Sequence, residues 1–431
     1  MLADNLRRGC GGCLEFAGQR VSDLAARYGT PLYLMDEERI RRNCRMYLNA
    51  FRGSFGERAL PLYAGKAASF KQIYRIMAQE GMGVDAVSAG ELHTALSAGF
   101  PAGRVYFHGD GKTPADIAFA LDRGVGCFIV DNEHELQLLS AEAARRGLRQ
   151  KVLLRITPGI DPHTYEAVNT GRVDVKFGVP IETGQAFAFV QQALSLPGLE
   201  LAGLHCHVGS EVFDEDVFER TADVMVGFMA ALRRALDFET RELNLGGGYG
   251  VRYLDSDPQV DIPGRIAALA QHLKRRCAEA ELPLPFFLME PGRSIVADAG
   301  LTVYTVSAVK HIPGFKRYAI VDGGMADNPR YCLYGARYTV LHADREAEET
   351  AVFDLAGRCC ESGDILQPAV SLPRDTAPGE HIAVCTTGAY NYSMASNYNR
   401  LGRPPVVMLH GGESYVAVRR ETVEDVCALD L

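Results

Sequence analysis

Short apolar runs alternate with segments of helical periodicity along the first two thirds of the chain. The runs lie at 60–64, 83–87, 104–107, 127–130, 152–156, 202–206, 242–245 and 286–289. Between the runs, apolar residues recur every three or four positions, as in Leu136, Leu139 and Ala143, which is the spacing of one face of an α-helix. Eight such alternations predict an α/β fold, a (β/α)8 TIM-like barrel, over residues 35–290.

The pattern changes after Glu290. The segments LTVYTVSAV, KRYAIVDGG, HIAVCTTGAY and ESYVAVRR favour β-branched and aromatic residues, with Gly and Pro between them. They predict a separate all-β domain over residues 291–431. The opening residues 1–34 contain a short strand, a helix and a Thr30-Pro31 break before the next strand. Their pattern would suit either domain, and we assign them to the β-domain.

Composition and charge narrow the function classes. The 431 residues suit two domains, and the net charge of −9 argues against a nucleic-acid or anionic-membrane partner. No run reaches the roughly 18 apolar residues of a membrane-spanning helix, and the N-terminus lacks the apolar core of a secretory signal, so we expect a cytoplasmic protein. Eleven scattered cysteines predict reduced thiols. Cys10 and Cys13 form a CxxC without a second pair, which favours loop or core thiols over a metal site.

A polar or glycine-rich residue follows every predicted strand. Barrel enzymes place their chemistry at these carboxyl ends, although strand ends are polar in any barrel, so only the particular set of residues is informative. The residues in question are Lys66, Asp85 with Ser88, His108, Asp131, Arg155, His207 with Ser210, Gly246, Gly247 and Gly248, and Glu290.

Three of these positions have both a chemical and a structural interpretation. Lys66 follows an apolar strand, where partial desolvation would make its amine a nucleophile toward an aldehyde; a solvated loop lysine is the alternative. The glycines of LNLGGGYG leave backbone N–H groups open to a phosphate, or simply form a turn. His207 lies on the same side of its strand as His205, and either could be a hydrogen-bonded core residue.

The β-domain adds two candidate segments. Cys360 and Glu361 lie in RCCESGD, where an acidic residue directly after a cysteine is an unusual choice for packing. The structural alternative is that Cys359 is buried and inert while Cys360 faces solvent. Tyr390 lies in TTGAYNYSMASNYN.

Taken in order, the motifs identify a resemblance. YAGKA, GVDAVSAGEL, HCHVGS, LGGGYG, EPGRS, DGGMADNPR, CESGD and GAY resemble those of diaminopimelate decarboxylase, in the alanine-racemase-like group of pyridoxal-phosphate enzymes. The resemblance covers nearly the whole chain. It implies decarboxylation of meso-diaminopimelate to L-lysine and CO₂, the last step of bacterial-type lysine biosynthesis, with pyridoxal 5'-phosphate as cofactor.

The resemblance also implies roles on the cofactor side of the site. Lys66 matches the lysine that holds the cofactor covalently, and His207 matches the histidine that stacks on the cofactor ring. Glu290 matches the carboxylate that keeps the pyridine nitrogen protonated, which makes the ring an electron sink. The remaining cofactor contacts implied by the resemblance are Ser210, Gly246, Gly247, Gly248, Arg293 and Tyr390.

On the substrate side, the resemblance implies that the two carboxylates and the distal amino group of the substrate are held by Arg293, Arg330, Tyr334, Glu361 and Tyr390. Cys360 matches the thiol that protonates the carbon left by CO₂, and in this family it comes from a second subunit. We therefore expect a head-to-tail homodimer with two shared sites. No metal is implied.

Some positions depart from the family pattern. Gly65 stands where many relatives carry a larger residue, which we expect to leave more freedom beside Lys66. Tyr331 and Cys332 follow Arg330, where a proline is commoner. Arg155 and Asp85 are further candidates, for the phenolate side of the cofactor and the surroundings of Lys66.

Three alternatives remain open. The chain could decarboxylate another basic amino acid, such as ornithine, arginine or carboxynorspermidine, although CESGD offers a carboxylate for a distal ammonium. Racemisation would require a second base, and the Glu290 carboxylate disfavours it. A non-catalytic regulatory homologue would be expected to lack Lys66 or Cys360, and both are present.

Overall fold

The computed structural model describes residues 3–161 and 173–431. The chain divides into two compact units. One comprises the chain up to Arg42 together with Val251–Gln259 and Arg293–Leu431, and the other comprises Asn43–Gly250 and Val260–Gly292. Among the described residues, no helix combines the length and the apolar character needed to cross a membrane.

The N-terminal segment begins with a small antiparallel sheet of β1 (Leu6–Arg8), β2 (Leu14–Phe16) and β3 (Gln19–Arg20). Helix α1 (Val21–Tyr28) buries Val21, Leu24 and Ala25, whose spacing of three and four residues places them on one face. The helix ends at Gly29, because a φ of 70° lies outside the range of a right-handed helix. Strand β4 (Leu32–Asp36) and helix α2 (Glu37–Phe55) follow.

The predicted barrel is confirmed: eight parallel strands form a closed ring. Strand β13 closes it by pairing with β5, where Phe287 is opposite Ala59. Side chains fill the interior, among them Leu62, Ile129 and Leu153. The ring strands are β5 (Ala59–Ala64), β6 (Gly83–Ala86), β7 (Val105–Phe107), β8 (Cys127–Val130), β9 (Gln150–Thr157), β11 (Leu199–His205), β12 (Glu242–Asn244) and β13 (Phe286–Met289), with the short β10 (Val179–Pro180) beside β9.

Helices follow most of the ring strands. Buried apolar residues line one face of each, as with Ile73 and Met77 in the helix after β5. Thr113 begins another with a capping box to Asp116. The helices are α3 (Lys71–Glu80), α4 (Ala89–Ser97), α5 (Pro114–Asp122), α6 (Glu133–Arg145), α7 (Gln185–Ser195), α8 (Val217–Leu236) and α9 (Ile262–Glu279).

The remainder of the chain forms the predicted β-sheet domain. Its elements are α10 (Arg293–Val296), β14 (Gly300–Ile312), β15 (Lys316–Val321), α11 (Arg330–Tyr334), β16 (Val340–His342), β17 (Thr350–Ala356), β18 (Ile365–Pro373), β19 (His381–Cys385), β20 (Val406–His410), β21 (Glu413–Val418) and α12 (Val423–Cys427).

Strand β4 lies in the middle of the sheet of this domain. It lies between β14 and β20 in the order β18-β17-β15-β14-β4-β20-β21. Leu32 and Leu34 enter a core with Leu301 and Val407. The N-terminal segment therefore does contribute to the β-domain, because its apolar strand is buried on joining that sheet.

One glycine in the barrel predicts a sharp stability effect. A Cβ on Gly203 of β11 would lie 1.8 Å from the backbone oxygen of Glu242 on β12. We expect Gly203→Ala to destabilise the barrel by about 1–3 kcal/mol, since two paired strands must separate. The matched control is Gly227→Ala in α8, where a Cβ would have no atom within 4 Å apart from its chain neighbours and the backbone of its own helix. That change should be neutral or stabilise by roughly 0.5–1 kcal/mol. Urea unfolding of both variants checks the difference, and equal losses would contradict it.

Candidate active site

Glu290, directly after β13, is a buried carboxylate with nitrogen atoms of three side chains close to it, two of them hydrogen-bonded to it. Its side chain is 7% exposed. The Asn244 Nδ2 group donates to its Oε1 at 2.7 Å, and His205 Nε2 lies 3.2 Å from its Oε2. His108 Nε2 lies 2.9 Å from Oε1. No lysine or arginine of the described residues forms an ion pair with this carboxylate.

These neighbours decide which groups are charged. Burial alone would raise the pKa of Glu290, but His108 and His205 hold it well below its usual range. Burial lowers the pKa of His205 to about 4, against the opposing effect of Glu290, so His205 is neutral at neutral pH. The site therefore contains a carboxylate anion hydrogen-bonded to a neutral His205 and to the amide of Asn244.

The triglycine turn after β12 fixes His207. The Gly247 N–H donates to His207 Nδ1 at 3.1 Å, so that nitrogen is the acceptor and Nε2 carries the proton. Burial lowers the pKa of His207 well below its usual value, and the nearby Lys66 charge lowers it further. The imidazole is thus neutral, with its tautomer set by a backbone donor.

The same turn packs against the neighbouring strand ends. A Cβ on Gly247 would lie 2.0 Å from the Glu290 backbone oxygen, and one on Gly248 would lie 2.1 Å from that of Gly209, next to Ser210. The Gly246 N–H is used by Asn244 Oδ1 at 2.9 Å. Two of the three N–H groups predicted to receive a phosphate are therefore engaged internally. Within the described ranges, the Gly248 N–H has no such acceptor.

Lys66 stands at the rim of the barrel, in a turn between buried Gly65 and Ala67. Its side chain is exposed, so the expected desolvation is not found: the turn carries the side chain out from the strand end. Its charge acts on Asp85, Glu91 and His207. The amine is accessible to an aldehyde, and it lies close enough to His207 for its charge to lower the pKa of that ring.

Two carboxyl groups near this amine are buried. Burial raises the pKa of Asp85, and it raises that of Glu91 to about 7. The Glu91 Oε2 accepts the Val87 N–H at 2.9 Å. Sequence reasoning missed Glu91, which reads as an ordinary first-turn residue of α4.

The expectation of extra freedom at Gly65 is wrong. A Cβ there would lie 2.6 Å from Tyr74 Oη and 3.1 Å from both the Asp85 backbone oxygen and Glu91 Oε2. The absent side chain leaves no gap, because neighbouring groups close over the backbone.

Arg155, on β9, lies beside this cluster. Its guanidinium stacks 4.3 Å above the Phe177 ring, and its Nε is 3.8 Å from Asp131 Oδ1. Its charge acts on Asp85 and His207.

In the other unit, Arg330 is buried among tyrosines. Its Nε donates to Tyr334 Oη at 3.2 Å and its Nη1 to Tyr338 Oη at 2.5 Å. Its guanidinium also lies 5.1 Å from the Tyr253 ring centroid. No carboxylate of the described part of the chain pairs with it. A buried cation with only phenolic partners is suited to binding an anion.

Tyr253 joins this arginine to Arg293. The Arg293 Nη1 donates to Tyr253 Oη at 2.7 Å, and its guanidinium lies 4.7 Å above the Tyr390 ring. Tyr390 has a φ of 61°, uncommon for a bulky residue and frequent at functional sites. Sequence reasoning missed Tyr253 and Tyr338, since nothing in their spacing marks them.

Cys360 and Glu361 lie on an exposed turn of this unit. Cys359 is buried, and burial raises its pKa to about 11, as expected of an inert thiol. The turn contacts α11, the helix of Arg330 and Tyr334, where Cys332 Sγ lies 3.1 Å from the Gly363 oxygen.

The structure thus forms two groups of the predicted residues. In the barrel, Lys66, His207, the triglycine turn and Glu290 share the strand-end rim, joined by Asp85, His108, His205 and Asn244. In the other unit, Arg293, Arg330, Tyr334 and Tyr390 surround Tyr253 and Tyr338. Of the missed residues, His108 was visible only as a polar strand end and His205 only as a possible core histidine.

The barrel group fits pyridoxal phosphate in its donor chemistry. An accessible amine suits an aldehyde, a neutral imidazole offers an aromatic face, and a buried anion without a lysine or arginine partner suits a pyridinium nitrogen. His108, His205 and Glu290 also place three potential ligand atoms within 4.8 Å of one another, a set that could hold a metal ion.

The tyrosine cluster predicts a stability effect that needs no ligand. Tyr338→Phe removes the oxygen that accepts Arg330 Nη1, leaving a buried charged group unsatisfied, and should cost about 1–3 kcal/mol. Tyr398→Phe is the control, because that ring is 41% exposed. Chemical unfolding of both variants measures the change; a Tyr338→Phe protein as stable as its control would refute the prediction.

Comparisons with known proteins agree with these observations. Residues 37–297 match the family described as "Pyridoxal-dependent decarboxylase, pyridoxal binding domain". The chain is 42% identical over 422 residues to diaminopimelate decarboxylase of Bacillus subtilis, covering 97% of this chain and 95% of that one. It is 44% identical to diaminopimelate decarboxylase of Actinosynnema pretiosum subsp. auranticum, covering 96% and 92%.

A solved structure shares the whole architecture. Diaminopimelate decarboxylase from M. jannaschii in co-complex with L-lysine has a TM-score of 0.91 and 31% identity, covering 99% of this chain and 98% of that one. Identity of this size over nearly the full length of both chains shows common descent, and the chain belongs to the diaminopimelate decarboxylase family of pyridoxal-phosphate-dependent decarboxylases.

Proposed function

We propose that this chain decarboxylates meso-diaminopimelate to L-lysine and CO₂. The observation that carries the proposal is the strand-end rim, where the Lys66 amine, the His207 imidazole and the buried Glu290 anion occur together. The co-complex of a relative with L-lysine supports the product. In the net reaction a C–C bond breaks, CO₂ leaves, and a proton takes its place on the same carbon.

Pyridoxal phosphate, when bound, supplies an electron sink for the electron pair that CO₂ leaves behind. Lys66 would hold it covalently through its amine, and His207 would lie against its ring. Glu290 holds a proton on the ring nitrogen through its negative charge. Contacts to the phosphate side would come from Ser210, Arg293 and the turn of Gly246, Gly247 and Gly248, in which Gly248 offers the N–H that is not engaged internally. We assign cofactor binding to residues 35–290 as one domain.

The β-domain, residues 1–34 and 291–431 in this proposal, supplies most of the substrate contacts. Meso-diaminopimelate carries two carboxylates, so it needs more than one anion-binding group. Arg330 fits one carboxylate through the bidentate geometry of its guanidinium, and Arg293 and Tyr334 assist. Glu361 receives the distal ammonium, and Tyr390 contacts both cofactor and substrate.

Cys360 is the proposed general acid, donating its thiol proton to the carbon that lost CO₂. It acts in the site of a second copy, which makes the working form a head-to-tail homodimer. The exposure of Cys360 and Glu361 supports this, and so does Leu333, which is 58% exposed on the adjoining helix. We place the enzyme in the cytoplasm, in keeping with its eleven free cysteines.

Substrate choice provides the first test. The kcat/KM for CO₂ release should be about 10⁴-fold higher for meso-diaminopimelate than for L-lysine, L-ornithine or L-arginine. These three amino acids have only one carboxylate, so the buried Arg330 would be left without an anionic partner. Lys66→Ala should abolish turnover and the borohydride-sensitive visible absorbance. Lys71→Ala, an exposed lysine on α3, should change neither. Comparable rates on ornithine would refute the substrate assignment.

Shared sites provide the second test. Cys360→Ala alone should lower kcat about 10²–10⁴-fold. Heterodimers of Lys66→Ala and Cys360→Ala subunits, isolated with two different tags, should recover about half of the wild-type rate, because one of the two sites is then intact. Heterodimers of Lys66→Ala and His207→Ala should recover nothing, as both changes affect the barrel. Recovery in neither pair, or an active monomer in sedimentation, would refute the shared site.

A further inference from the structure

Two histidines beside Glu290 have no part in the roles assigned above. His108 follows β7 and His205 ends β11, so they reach the carboxylate from different strands. Each directs Nε2 toward it, at 2.9 Å from Oε1 and 3.2 Å from Oε2 respectively. Their side chains are only 5% and 1% exposed. The carboxylate is therefore held from two sides by rings that solvent does not reach.

The two rings also brace each other. Their centroids are 4.9 Å apart at an interplanar angle of 74°, an edge-to-face arrangement. His108 Nε2 lies 3.7 Å from Asp85 Oδ1 as well. Neither ring can turn away from Glu290 without disturbing the other, so the pair restricts the orientation of the carboxylate plane.

The hydrogen positions favour an anion between them. Asn244 Nδ2 donates to Oε1, and His205 Nε2, in a neutral ring, has its hydrogen available for Oε2. A proton added to either oxygen would face an N–H group and remove an acceptor. The other titratable or charged groups that interact with this cluster are Asp85, Glu91, Lys66, Arg155, Cys206 and His207.

We propose that His108 and His205 are positioning residues that fix the Glu290 carboxylate in its ionised form and in one orientation. The inference deepens the proposed function and rests on it, because the fixed anion is what holds the ring-nitrogen proton. Their proposed effect passes through Glu290, which makes them positioning residues.

A metal ion is the competing use of the same atoms. It would require the lone pairs of both Nε2 atoms to point at a common centre. Here His205 Nε2 is hydrogen-bonded to Oε2, and Asn244 presents an N–H to Oε1. His108 Nε2 lies 2.9 Å from Oε1 but without hydrogen-bond geometry, so it contributes as a close polar contact. The observed arrangement matches donors around an anion.

The test compares ring-preserving and donor-preserving changes in the holoenzyme. His108→Phe with His205→Phe keeps the aromatic packing and removes the nitrogens, whereas His108→Gln with His205→Gln keeps an N–H at each place. Infrared spectroscopy reads the C=O stretch of a protonated carboxyl group, assigned to Glu290 by its loss in Glu290→Gln. This readout does not depend on turnover.

We expect no protonated Glu290 band at pH 7 in the wild type or the Gln pair, and a clear band in the Phe pair. The Phe pair should also lose about 10–100-fold in kcat with little change in KM, and the Gln pair should restore most of it. If the double Phe variant does not fold, each single Phe variant is titrated instead. As the pH is lowered, the band of protonated Glu290 should appear at a higher pH in each of them than in the wild type.

Three results would overturn the inference. They are a Phe pair that stays ionised at pH 7, a kcat loss that the Gln pair fails to rescue, and stoichiometric metal in the purified wild type. Failure of the proposed function is a separate observation. A wild type that releases no CO₂ from meso-diaminopimelate would refute the reaction, while the infrared result would still decide the role of the histidines.

Discussion

The site depends on one constraint: a negative charge, that of Glu290, is buried at the carboxyl ends of the barrel strands. An ionised carboxylate placed away from water is costly unless donors surround it. Glu290 meets Asn244, His205 and His108, which come from three other strand ends. Such convergence requires a closed ring, because only closure places β13 beside β5 and keeps the ends of all eight strands on one rim.

Close backbone approach makes this convergence achievable. Gly247 rests against the Glu290 backbone, where a Cβ would be 2.0 Å from its oxygen. Gly292 lies against the end of β5, just before Lys66, where a Cβ would be 2.9 Å from that of Ala64. The glycines of LGGGYG and EPGRS therefore have a packing role, and a ligand is not needed to explain them. Two amide hydrogens of the triglycine turn already serve Asn244 and His207.

In the compact unit that contains the β-sheet domain, the buried charge of Arg330 is stabilised in a different way. Arg330 has no carboxylate partner among the described residues and is held by phenol oxygens and ring faces instead. The phenol oxygens accept guanidinium hydrogens without neutralising the charge, so the electrostatic attraction for an anion remains. Tyr253 follows the triglycine turn closely in sequence. It still belongs to this arrangement, because Val251–Gln259 is part of the same compact unit as Arg293–Leu431.

The sequence by itself determined the eight strands, the β-sheet domain after them and the family, because these depend on local periodicity and on short motifs that can be read in order. The place of the N-terminal strand β4 in that domain followed only from its pairing with β14 and β20. Only the tertiary structure decided that Lys66 is exposed, that Gly65 has no room for a side chain, and that His108 and His205 converge on Glu290. The same holds for Tyr253 and Tyr338 around Arg330. These features depend on contacts between residues far apart in sequence, whose distances arise only when the ring closes and the sheets pack.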